Sequence, residues 1–231
     1  MLVKTSGLVL SYIRYKDTSI IVKIFTKELG LKSYIINGVR SSTAKSKMGF
    51  YQPMMLLDLV VYHKETSNLN RVSEVKLLQA FQRIPFEFKR SGIAMFMAEV
   101  LSRCLYDGYQ NESMFDFLEE AITLLDSPHC NLTHFPITFL METSKYLGFA
   151  PVSAEEFFEE LNQAWASSRD FQVEATYLDG LLQHSFAFDQ NVPSIARRNL
   201  LDLCLSYYSA HLEESKEWKS IKILRQIMQE T

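Results

Sequence analysis

The sequence predicts an α+β chain of two domains: a small five-stranded β-barrel over residues 1–80, then an all-α helical domain over residues 81–231. Three observations carry this reading. Before residue 80, apolar residues come in short runs rich in β-branched side chains; after residue 85 they recur at helical spacing. The charge changes sign at the same place. Residues 1–80 hold 12 Lys and Arg against 5 Asp and Glu, whereas residues 81–231 hold 12 against 22, so a basic module precedes an acidic one within a net charge of −3. A chain of 231 residues, 47% of them hydrophobic, can bury roughly 70% of its unfolded surface without disulfide or metal staples.

The strands follow in order. Leu8, Leu10 and Tyr12 alternate with Val9, Ser11 and Ile13; residues 18–26 are rich in β-branched side chains; residues 31–36, 54–63 and 71–78 supply three more runs. Lys16-Asp17 and Glu28-Leu29-Gly30 are short turns, so the first three strands form a meander, and Asn37-Gly38 ends it. Residues 39–49 hold three cations, four hydroxyl side chains and no acid, and their lack of period predicts a mobile loop. Five short strands with one long connection after the third fit an oligonucleotide-binding (OB) barrel or an SH3-like barrel, and periodicity does not separate the two.

From residue 85 the period is helical. Ile93, Phe96, Met97, Val100, Leu101, Cys104 and Leu105 form one apolar stripe, with Gly108 expected as its cap. Phe115, Leu118, Ala121, Ile122 and Leu125 form a second, stopped at Ser127-Pro128; Ile137, Leu140, Met141, Ser144 and Leu147 form a third, closed by Gly148. Further helices are expected around Ala175–Leu182, over 195–211 after Pro193, and from Ile221 to Ile227, making five to seven in all. Residues 149–172, where Phe157, Phe158, Leu161, Trp165 and Phe171 interleave with four glutamates, suit a short helix and a loop.

Several functional classes are excluded. No stretch approaches 18 apolar residues and residues 1–30 carry no signal-peptide pattern, so no membrane association and a cytoplasmic location are expected. Cys104, Cys130 and Cys204 are scattered and match no zinc spacing; Cys104 and Cys204 fall on apolar helix faces and are expected in the core. The five histidines show no ligand pairing, and no Walker, GxGxxG or GxSxG motif occurs, so neither an enzyme nor a cofactor is expected. Glu155, Glu156, Glu159 and Glu160 lack the glycine turn of a calcium loop and read as a solvated acidic face.

A basic barrel attracts polyanions, nucleic acid foremost. Arg40, Lys45 and Lys47 are the first candidates for phosphate contact, helped by Ser41, Ser42 and Thr43. Arg14, Lys23 and Lys32 on three adjacent strands are expected to form a cationic stripe, and Tyr12 and Tyr34, at matching strand positions, are candidates to stack on bases. An adaptor whose basic barrel meets an acidic protein is the competing reading of the same charges.

Several stretches together resemble the bacterial recombination mediator family RecO: Gly7-Leu-Val-Leu followed by Asp17, Thr18 and Ser19; Ile21-Val22 and Phe25-Thr-Lys-Glu-Leu-Gly30, similar to the family's IVTLFTRELG; Asn37-Gly-Val-Arg-Ser-Ser42, similar to KGARSSKS; and Gln52-Pro53. Ala98-Glu99-Val-Leu, Tyr146-Leu-Gly-Phe-Ala-Pro151, similar to LLGYAP, and Ser220-Ile-Lys-Ile-Leu224 continue the family order. The resemblance implies an OB barrel followed by a helical domain. It also implies binding of single- and double-stranded DNA, strand annealing, and contact with the acidic C-terminal tail of single-stranded-DNA-binding protein (SSB). With RecR, and in company with RecF, such a protein helps load RecA. Arg197, Arg198, Lys219 and Lys222 are then the candidates for the tail's partner surface, beside the alternative that they complement helix dipoles. The four-cysteine zinc motif that many members of the family carry is missing: residues 152–200 contain no Cys, and the segment 149–172 stands in its place.

Overall fold

The computed structural model describes residues 1–39, 45–64, 67–161, 171–213 and 216–229, with the side chains at 45, 46 and 227–229 outside that description. Five strands, β1 (Leu2–Tyr15), β2 (Ser19–Thr26), β3 (Gly30–Ile36), β4 (Leu56–Tyr62) and β5 (Leu69–Leu77), close a barrel in the order β1-β2-β3-β5-β4. β1 pairs with both β2 and β4, and closure comes from a parallel β3–β5 pairing over Ser33–Ile35 and Leu69–Arg71. This is the OB order, which decides between the two barrels that the periodicity allowed.

The strands bury both of their faces over part of their length, which is why stretches such as Leu8-Val9-Leu10 and Leu56-Leu57 are continuously apolar. Val9, Ile20, Val22, Ile24, Tyr34, Leu57, Leu59 and Val61 fill the interior. Leu8, Leu10, Phe25, Leu31 and Leu56 are buried outside that cluster. There α1 (Phe88–Cys104) and α2 (Glu112–Asp126) cover the barrel wall, with the Phe25 ring 6.0 Å from Phe115 and 6.1 Å from Tyr109. The turn at Gly30 meets the α1–α2 connection through paired backbone bonds, Leu31 N–H to Tyr109 O and Gly108 N–H to Leu31 O, both 2.8 Å. Barrel, α1 and α2 thus make one compact unit, residues 1–126.

Four sequence expectations change in detail. The register shifts between Val9 and Ser11, a bulge at Leu10, so the alternation read along β1 changes parity and Tyr12 joins the interior side. Residues 45–51 form a 3-10 helix, Lys45–Tyr51, where a mobile loop was expected. Met48 and Phe50 pack against the barrel core and Tyr51 is buried in it, an anchoring that local periodicity does not reveal. α1 ends at Leu105 in extended conformation, and Gly108 belongs to the following turn. Cys204 is buried, but Cys104 is only half-buried.

Residues 127–231 form the second unit. α3 (Phe135–Leu147), α4 (Ala154–Glu160), α5 (Gln172–His184), α6 (Ser194–His211) and α7 (Ile221–Gln229) bring the total to seven α-helices among the described residues. α6 is the hub: Tyr208 O–H donates to Leu140 O at 2.5 Å and Tyr207 O–H to Phe149 O at 2.8 Å. Residues 153–161 are held by aromatic packing and a cap. Phe157 lies 4.8 Å from Tyr207 and 5.4 Å from Phe158, and Ser153 caps α4 by accepting from Glu156 N–H. Residues 162–170, including Trp165, lie outside the described residues.

Candidate nucleic-acid interface

In a strand pair, directly opposed residues share a face. Register therefore sorts the barrel's candidates. Tyr12 opposes Val22, and Val22 opposes Tyr34, so the three make one row facing the interior. Tyr34 is 0% exposed, and burial pushes its hydroxyl up to about 12. Its ring has no face to offer a base, which corrects the expected stacking role; Tyr12 is half-buried against the same core.

The expected cationic stripe also divides. Arg14 opposes Ile20 at one end of β2, and Lys32 opposes Ile24 near the other, whereas Lys23 opposes Ser11 and Ser33 on the alternate face. Strand alternation separates them, so they do not form one line. Lys23 is held by Asp107 at 2.9 Å, Lys27 by Asp116 at 2.6 Å and Lys4 by Asp58 at 3.7 Å. By contrast Arg14, Lys32, Lys47, Arg71 and Lys76 have no ion pair with any described residue. Arg40 and the Lys45 side chain lie outside the described residues.

Three of these unpaired cations surround one cleft. Beyond Ile35 and Arg71, β3 and β5 diverge, and the 3-10 helix bridges the gap. The space left is about 510 Å³, floored by Ile36, Val39, Tyr51 and Val72 and rimmed by Lys47, Arg71, Ser73, Glu74 and Lys76. Sequence reasoning found Lys47 and missed Arg71, Ser73 and Lys76. Their signal was faint: isolated polar residues alternating through a strand, which period alone assigns to solvent.

In the helical unit, a cleft of about 390 Å³ lies between α5 and the chain entering α6, lined by Thr176, Tyr177, Phe188, Gln190 and Pro193 among others. Of the candidates there, Arg197 is only 4% exposed and sits in the first turn of α6, so its guanidinium belongs to the interior rather than to an open rim. Arg198 is half-buried, and Lys219 and Lys222 are exposed. Arg225, in the same basic cluster, is engaged by Asp202 at 2.9 and 3.0 Å. His134, which the ligand-spacing rule passed over, is buried behind this cleft. Its Nδ1 lies 2.8 Å from Tyr177 Oη and its Nε2 3.1 Å from Gln190 O. Burial, with the nearby Arg197 charge, holds its pKa below the ordinary imidazole value, so Nε2–H donates to the carbonyl and Nδ1 accepts from the tyrosine. Among the described residues no group of three or more His, Cys, Asp or Glu is placed to hold a metal, and no helix is long and apolar enough to cross a membrane.

Strand order defines the class: a barrel of the oligonucleotide-binding fold, in a chain that also carries a helical unit. Family models agree with that class and narrow it. The model described as "Recombination protein O N terminal" matches residues 1–81, and that described as "Recombination protein O C terminal" matches residues 85–220. The chain belongs to the RecO family of DNA repair proteins. It is 35% identical over 236 residues to the DNA repair protein RecO of Flavobacterium johnsoniae and 33% identical over 237 residues to that of Flavobacterium psychrophilum. The RecO of Phocaeicola vulgatus is 31% identical over 239 residues; each match covers 98% of this chain and 99% of the relative.

Proposed function

We propose that this protein is a non-enzymatic mediator of recombinational repair that captures single- and double-stranded DNA on its barrel and brings complementary strands together. With RecR it helps RecA replace SSB on the captured strand. The observation that carries the reading is the set of barrel cations without an ion pair to any described residue, Arg14, Lys32, Lys47, Arg71 and Lys76, in the part of the chain with excess positive charge. Such side chains neutralise phosphates and release counterions, which gives affinity without base preference and screens the repulsion between two strands. Capture and annealing of this kind need no covalent step. The exposed Lys219 and Lys222 and the half-buried Arg198 offer charge to the acidic, apolar-ended tail of SSB.

The test is fluorescence anisotropy of a labelled single strand across a salt series. Binding is expected to fall with a log–log slope of about −0.7 per phosphate contacted. Replacing Arg40, Lys45 and Lys47 together by Ala is expected to weaken binding and flatten that slope. Unchanged DNA affinity in the triple variant would move the basic barrel to an acidic protein partner.

A further inference from the structure

The cleft between β3 and β5 differs from an ordinary cationic surface because it has depth. Parallel pairing stops at Ile35 and Arg71, and at the next step β5 carries a bulge: Val61 opposes Val72 and Val60 opposes Glu74, which leaves Ser73 unpaired at the rim. Bulges re-aim side chains beside binding sites. The floor is apolar, with Tyr51 at 2% exposed and Val39 buried beside it. The volume of about 510 Å³ lies within the range of small-molecule sites, about 300–1,000 Å³. Three rim cations, Lys47, Arg71 and Lys76, face one rim acid, Glu74. Arg71 also opposes Tyr62 on β4, so guanidinium and phenol are neighbours on the outer face, and Tyr62 is 52% exposed.

We propose that this cleft receives one unstacked base of a single strand. Arg71, Lys76 and Lys47 hold the flanking phosphates, Tyr62 stacks the next base, and the barrel thereby prefers single strands to duplex. The inference rests on the DNA-capture reading above and adds to it a site and a strand preference. An apolar floor below a cationic rim matches the two halves of a nucleotide. A paired base cannot enter without first being unpaired and unstacked, so duplex gains only the rim contacts. Stacking on Tyr62 and on the cleft walls accepts any base, because every base has a π-face.

The test uses the full chain with a labelled single strand, the duplex of the same length, and an otherwise identical strand made of abasic sites. Ser73→Trp fills the cleft from its rim. It is expected to weaken single-strand binding about tenfold while leaving duplex binding unchanged. Tyr62→Ala, at an exposed site, is expected to act in the same direction and serves if Ser73→Trp loses its native circular dichroism. The double variant Arg71→Ala, Lys76→Ala is expected to reduce the salt slope by about 0.7 for each phosphate that is no longer neutralised. The abasic strand is expected to bind wild type no better than it binds Ser73→Trp. Equal loss for single strand and duplex, no loss for either, or an abasic strand that binds wild type as well as the base-bearing one overturns the base site. Wild type that binds no DNA at low salt overturns the capture reading itself.

Discussion

At Gly30 the barrel backbone lies directly against the α1–α2 connection, and replacing it by Ala tests that fit. Its φ is +68°, and a Cβ there would lie 2.2 Å from Tyr109 O and 2.9 Å from Tyr109 C. Both obstacles are backbone and cannot swing aside. An L residue in the left-handed region costs about 1–2 kcal/mol. Separating the chains also loosens the paired Leu31 and Gly108 bonds, each worth about 0.5–1.5 kcal/mol net. The expected destabilisation is therefore about 2–5 kcal/mol. Gly108→Ala is the matched control: φ is +91°, but nothing lies within 4 Å of its Cβ, so only the conformational part, about 1–2 kcal/mol, is expected. Both tryptophans, Trp165 and Trp218, lie beyond residue 126, so tryptophan fluorescence does not report on this unit. Hydrogen exchange across a urea series, read on amides of β2, β3 and the α1–α2 connection, does. Equal destabilisation by the two substitutions would refute the argument, because the close approach would then contribute nothing.

One carboxylate and one imidazole give pH signatures. Asp126 ends α2, where a negative charge opposes the helix dipole, and burial further disfavours its charge. Three backbone N–H donors, Gln82, Arg83 and Ile84, each at 2.8 Å, together with the Arg90 charge, outweigh this and hold the carboxyl below its ordinary range. Its stabilising contribution is therefore complete above the unfolded value of about 3.9 and lost as pH falls through the folded one. Urea midpoints of the 1–126 unit are expected to drop in that window, and Asp126→Asn to flatten the drop; an unchanged profile would remove this anchor. His134 works in the same direction at higher pH. Its folded pKa is depressed by burial, so the unfolded chain binds the proton more readily, and stability is lost as pH falls below about 6.5. Trp218 fluorescence, within the same unit, is expected to show a falling urea midpoint below that pH in wild type and a flat one in His134→Gln.

The division into strands and helices was legible in the sequence because both periods are local. Alternation and β-branching mark β1 to β5, and the i, i+3, i+4 stripes mark α1 to α3, with Gly148 closing α3 and Pro193 opening α6. The charge asymmetry, summed without any coordinates, placed the positive excess in the barrel half of the chain. Which side chains share a face is a different kind of fact. A single bulge at Leu10 turned Tyr12 inward, and register, not spacing, put Tyr34 in the core and parted Arg14, Lys23 and Lys32. Ion pairing likewise needs neighbours from distant sequence: Asp107 takes Lys23, and Asp116 takes Lys27.

The cleft was the least legible feature, since it exists only because two strands 36 residues apart run parallel for three residues and then diverge over a 3-10 helix. Lys47, Arg71, Ser73 and Lys76 are each unremarkable in the string. His134 meets Tyr177 and Gln190 at separations of 43 and 56 residues, which no spacing rule anticipates. What the sequence by itself determined is the set of elements, their order and the sign of charge on each half, because these follow from periods and counts along the chain. What only the tertiary structure decided is barrel closure, the face each side chain takes and which of the described cations stand without an ion pair, because those depend on contacts between residues far apart in the chain.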